Sequence, residues 1–164
     1  SPDISAVNGE VLRRIRIKRS VRKEMVMKQG EPYLVSDIVE SGKIGNLHVG
    51  DDQEDICQEI KGFVLNPMRT SKKSKIFLDT YENIMLLLEN KKIICMQINF
   101  ENRDAKSVVL NDLFSEFSSI DDWLNFAEKY NWLCEKNTSI YIFKKNKVFI
   151  SVSAQGVLHL ISVY

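Results

Sequence analysis

The stretch Lys75-Ile-Phe-Leu-Asp-Thr-Tyr-Glu-Asn-Ile-Met-Leu-Leu-Leu-Glu-Asn-Lys-Lys-Ile-Ile-Cys-Met-Gln-Ile-Asn-Phe100 contains three extended runs. They are Lys75–Thr80, Asn83–Leu88 and Lys92–Phe100, separated by Tyr81-Glu82 and by Glu89-Asn90-Lys91. Linkers this short force neighbouring runs to pair antiparallel. A second meander follows at Ser139–Lys144, Lys147–Ser153 and Val157–Tyr164, joined by Lys145-Asn146 and Ala154-Gln155-Gly156. Along it, Val148, Ile150, Val152, Leu158 and Leu160 mark a buried face. Phe149 and Ser151 mark the opposite face, partly open to solvent or to a partner.

A helix precedes each meander. In Asp51-Asp-Gln-Glu54 an aspartate can cap backbone amides while a glutamate three residues on reaches back. Ile56, Cys57 and Ile60 then face the core, and Gly62 ends the helix. Ser119-Ile-Asp-Asp122 carries the same capping signal, and Trp123, Phe126, Ala127 and Tyr130 form one apolar stripe. Further upstream, Leu34, Val35, Ile38 and Val39 predict a helix ended by Gly42, followed by a short extended piece at Asn46–Val49. Helix followed by three-strand meander thus occurs twice, at Asp51–Phe100 and Ser119–Tyr164. Each helix stripe can cover a sheet face. The expected fold is therefore α+β: two pseudo-repeated helix-plus-meander units forming one two-layer domain. That domain spans 31–164, with half-repeats at 33–105 and 106–164, behind a basic N-terminal arm at 1–30.

With 44% apolar and 27% charged residues in 164, the chain has the composition of a soluble globular protein. Its longest apolar run, Ile84 to Leu88, is far short of the roughly 20 residues that cross a bilayer. No charged start leads into an apolar segment, so a cytoplasmic protein without membrane attachment is expected. Cys57, Cys95 and Cys134 form no C-x-x-C pair, and three is an odd number. Buried thiols in a reducing compartment are the expectation for all three.

The net charge of +1 conceals an asymmetry. Residues 1–30 hold eight cations (Arg13, Arg14, Arg16, Lys18, Arg19, Arg22, Lys23, Lys28) against Asp3, Glu10 and Glu24. Residues 31–164 hold 15 cations against 19 carboxylates. Within the arm, Val11–Val21 suits a strand exposed on one side or a basic helix.

The stretch Gly45-Asn-Leu-His-Val-Gly-Asp-Asp-Gln-Glu-Asp-Ile-Cys-Gln-Glu-Ile-Lys-Gly62, with the aromatic-rich strand Ile76 to Tyr81 and the hairpin leading into Lys92-Ile-Ile94, resembles a recurrent bacterial pattern. It is similar to tandem modules of the beta-lactamase-inhibitor-protein type, and to bacterial toxin-immunity proteins that use such modules. The resemblance covers 43–100 by motif and 119–164 by pattern. It departs at Phe63-Val-Leu-Asn-Pro67, where the proline comes late, and in the N-terminal arm. It implies a fold and a habit of binding proteins, and it transfers no partner-binding residue.

Enzymatic constellations are missing from the sequence. His48 and His159 are the two histidines, neither has a nucleophile beside it in a recognisable motif, and no glycine-rich phosphate loop occurs. No catalytic residue, metal or cofactor is expected. Two binding readings lead, ahead of an envelope lipoprotein or assembly factor of related fold. In the first, an immunity-type inhibitor uses Asp51, Asp52, Glu54, Asp55 and Glu59, with Asp112, Glu116, Asp121, Asp122 and Glu128, to meet a basic toxin domain such as a nuclease. In the second, the basic arm binds nucleic acid. Capping and solvated helix faces account for the same carboxylates without any partner.

Overall fold

The computed structural model describes residues 31–101, 105, 107–110 and 113–164. The readings made for the arm at 1–30 and for Asp112 lie outside these residues. The first meander forms as expected, as β3 (Ile76–Tyr81), β4 (Ile84–Glu89) and β5 (Lys92–Asn99). Its two tight turns use positive φ at Glu82 (51°) and at Asn90 and Lys91 (52° and 62°). Such values match the right-handed twist of a hairpin. The second meander is β8 (Ile140–Lys145), β9 (Val148–Ser153) and β10 (Leu158–Val163).

Each meander gains a fourth strand that the sequence reading missed. β2 (Met68–Arg69) lies in what was expected to be a loop, and pairs with β3 through Met68↔Leu78 and Arg69↔Phe77. β7 (Leu133–Lys136) pairs with β8 and is exposed along its whole length. An exposed edge strand has no burial periodicity to give it away. The two meanders join where β5 meets β10, Met96 opposite Val163 and Asn99 opposite Leu160. The result is one eight-stranded antiparallel sheet in the order β2-β3-β4-β5-β10-β9-β8-β7.

Three helices lie among the described residues: α1 (Val35–Ser41), α2 (Gln53–Glu59) and α3 (Ile120–Lys129). Their apolar residues enter one core with the sheet. Val35, Ile38, Ile56, Trp123 and Phe126 pack with Ile84, Leu86, Met96, Ile98, Ile150, Ile161 and Val163. Register shows that these sheet residues share a face, since Leu86 stands opposite Met96, Ile98 opposite Ile161 and Ile161 opposite Ile150. Burying each such side chain stabilises the fold by roughly 1.5–3 kcal/mol.

Buried polar groups tie the loops to this core. Asn83 donates to the Val108 carbonyl (2.8 Å) and accepts the Val108 N–H (3.1 Å), as a strand backbone would. It thereby fixes β6 (Val108–Val109), which pairs in parallel with β1 (Tyr33–Leu34). Buried Asp79 accepts the Asn66 N–H (3.0 Å) and anchors the segment leading into β2.

Three local expectations need correction. The α2 capping box is Asp52 with Asp55, one residue later than Asp51 with Glu54, because Asp51 instead accepts the His48 N–H at 2.9 Å. The piece expected to extend over 46–49 includes a tight turn, closed by reciprocal 2.9 Å bonds between Ile44 and Leu47. Of the three thiols, Cys95 is buried, whereas Cys57 and Cys134 are exposed. Cys57 lies off the Ile56–Ile60 stripe, and Cys134 is on the edge strand β7.

Docking of α3 depends on one glycine. The Trp123 indole N–H donates to the Gly156 carbonyl at 3.0 Å. Gly156 has φ +88°, and a Cβ there would lie 2.4 Å from the Ser119 backbone carbon. Gly156→Ala is expected to destabilise the fold by at least about 2 kcal/mol, because backbone strain and a backbone clash coincide. Urea denaturation followed by tryptophan fluorescence measures this.

Candidate functional site

The described carboxylates expected to meet a partner sit on or beside α2 and α3, in the helical layer. Most of them already have work within the fold. Asp52 caps α2 and pairs with Lys92 at 3.0 Å, and Asp55 accepts the Asp52 N–H at 3.1 Å. Asp51 pairs with His48 at 3.1 Å. Glu59 accepts hydrogen bonds from the Tyr33 hydroxyl (3.3 Å) and the Asn46 amide (3.4 Å). Its backbone carbonyl also accepts one from Tyr33, at 3.1 Å. Burial, with the Glu59 charge beside it, pushes the Tyr33 hydroxyl well above the ordinary tyrosine range.

Asp122 closes the capping box of α3, accepting the N–H groups of Ser118 (2.8 Å) and Ser119 (3.1 Å). Those backbone bonds hold its carboxyl below the usual aspartate value. Glu54, Asp121 and Glu128 are exposed, as is Glu116 in the preceding loop. The structure thus divides the expected set into carboxylates that build helix ends and surface carboxylates that project into solvent.

The other face of the sheet offers a different surface. On it Met68, Leu78, Leu87 and Cys95 form one row across β2, β3, β4 and β5. A second row runs Leu133, Lys144, Phe149, Ser162, Gln97, Met85 and Thr80 from edge to edge. Ile142, Ser151 and Leu160 add a third; Leu160, expected on the buried face with Leu158, stands here because the register shifts between the two, and Ile161 takes the core position instead. None of these apolar side chains joins the core under the helices. Met68 is 67% exposed and Leu133 71%, while Phe149 stacks edge-on against Tyr164 with ring centres 5.1 Å apart. Charge enters at the margins, through Glu89, Lys144 and Glu135, and the last two pair at 2.9 Å.

The sequence pointed to half of this surface. Phe149 and Ser151 were assigned to an open face, whereas the contribution of β3 and β4 was missed. In Ile84-Met-Leu-Leu-Leu88 both faces are apolar, so alternation is hidden.

His48 faces Asp51, and His159 Nδ1 lies 3.0 Å from Glu101. Among the described residues no three His, Cys, Asp or Glu side chains gather as a metal site would require. No helix among them is long and apolar enough to cross a membrane.

Comparison with protein families, curated proteins and solved structures finds no match to this chain.

The Asp122 geometry carries a pH dependence. A carboxyl whose pKa is lower in the folded state than in the unfolded state adds stability above the unfolded value, roughly pH 3.9. That contribution is lost as pH falls through the folded value. Asp122→Asn is therefore expected to be less stable than the parent at pH 7, with the difference closing below about pH 4. Denaturant titrations across that range give the test.

Proposed function

We propose that this chain is a non-enzymatic, protein-binding inhibitor of the immunity type, neutralising a toxin domain by covering its active site. The observation that supports this best is the sheet face that no described helix covers. An eight-stranded sheet with helices on one side presents a broad, rigid and nearly charge-free surface on the other. Exposed apolar patches of this kind, rimmed by polar groups, characterise protein–protein contact sites. Sheet-borne side chains also lose little freedom on binding, which favours affinity.

The acidic residues take a second role in this reading. The described domain lies in a stretch with four more carboxylates than cations, and Glu54, Asp121 and Glu128 project from the helical layer. Their field steers a basic partner, such as a nuclease domain, towards encounter, while the sheet face makes the contact. The element order supports the tandem reading: α2 leads into β2–β5 and α3 into β7–β10, with β5 and β10 meeting at the centre. We take the two halves as copies of one helix-plus-meander unit.

The test is an affinity capture from the source cell with nuclease present, followed by binding kinetics on the recovered protein. Met85→Lys on the open face is expected to weaken binding at least about tenfold, mainly through faster dissociation. The triple change Glu54→Lys, Asp121→Lys and Glu128→Lys is expected to slow association and flatten its salt dependence, with dissociation nearly unchanged. The reverse pattern would move the contact to the helices. Capture of nuclease-sensitive material alone would remove the inhibitor reading.

A further inference from the structure

At the β2 edge of the sheet, on the helical side, a cavity of about 610 Å³ opens between the 67–75 segment, the start of α2 and the β4–β5 turn. That volume lies within the rough 300–1,000 Å³ range of small-molecule sites. Phe77, Leu88 and Pro67 supply its apolar wall, and Arg69, Lys73, Lys75 and Lys91 its charge. No carboxylate is among the lining residues. In a 134-residue stretch where acids outnumber bases 19 to 15, four cations therefore share one concavity.

The neighbouring acids do not neutralise it. None of the four cations forms an ion pair with a described residue. Asp52 is taken by Lys92, and Glu89 belongs to the opposite face of the sheet, across from Ile76. The walls are also built. Ser74 Oγ accepts from Thr70 Oγ1 (2.8 Å) and from the Ile76 N–H (3.0 Å), fixing the loop that carries Lys73 and Lys75. The Gln53 N–H donates to the Lys91 carbonyl at 2.9 Å and holds the opposite rim. Arg69 lies over the Phe77 ring, 5.7 Å from its centre, and donates to the Lys72 carbonyl at 3.5 Å.

Unpaired like charges held around a cavity repel one another, and a polyanion relieves that repulsion. A guanidinium lying over an aromatic ring adds a cationic surface beside the ring, and another ring packs well against such a pair. We propose that this cavity binds a ring-bearing organic phosphate of nucleotide size. Its ring lies against the Arg69–Phe77 pair and its phosphates among Lys73, Lys75 and Lys91. The same nucleoside phosphate can come from a free nucleotide or from the end of a nucleic-acid strand.

Calorimetric titration of the full chain at low salt tests this with ADP, pyrophosphate, adenosine, a short oligonucleotide and an acidic peptide. ADP is expected to bind, pyrophosphate about tenfold more weakly, and adenosine not measurably. Lys73→Gln with Lys91→Gln, both at exposed positions, is expected to weaken ADP at least about tenfold. Phe77→Leu is expected to lower ADP affinity to that of pyrophosphate while leaving pyrophosphate unchanged. Absence of ADP binding at millimolar concentration, ADP binding indifferent to the lysine pair, or preference for the acidic peptide would each overturn the assignment. If ADP displaces the oligonucleotide, the strand is a source of the ligand; if it does not, the mononucleotide is the source.

Discussion

The pairing of β5 with β10 is the constraint on which the rest of the molecule rests. Four residues of each strand, Met96–Asn99 and Leu160–Val163, convert two four-stranded halves into one sheet. Ile98 and Ile161, both fully buried, meet across that seam, and Met96 meets Val163 beside them. Because side chains alternate, a slip of one residue there would turn the apolar set of one half to the opposite face. The common core under α1, α2 and α3 exists because the register places both halves' apolar rows on the same side. The face that no described helix covers exists for the same reason.

Much of the architecture could be read from the chain. Six of the strands follow from tight turns between extended runs, and α3 follows from Ser119, Asp122 and the stripe Trp123–Tyr130. What escaped is what local sequence does not encode. β2 is a two-residue edge, and β1 with β6 is a two-residue parallel pair brought together by Asn83, 25 positions away from its partner. In Asp51-Asp52 either aspartate satisfies the capping pattern, and the choice falls to Asp52 because His48 occupies Asp51.

The candidate sites were less legible, for a related reason. Carboxylates stand out in a sequence, but Asp52, Asp55 and Asp122 owe their positions to backbone N–H groups at helix starts. The broad apolar face is hidden because its residues are spread over strands from Met68 to Leu160, each interleaved with core residues. The cationic cavity draws on Arg69, Lys73, Lys75 and Lys91, two segments that only the β3–β4 hairpin brings together. Charge at a distance in sequence has no pattern until the fold supplies one.

The central seam also sets an order of events during synthesis. β5 is complete some sixty residues before its partner β10 emerges from the ribosome. Until then Met96-Gln-Ile-Asn99 forms the unpaired border of a growing half-sheet, without a single charged side chain. The nascent protein therefore passes through a window in which its future centre is a sticky margin. Crowded or slowed translation lengthens that window, and the yield of native protein becomes a matter of timing as well as stability.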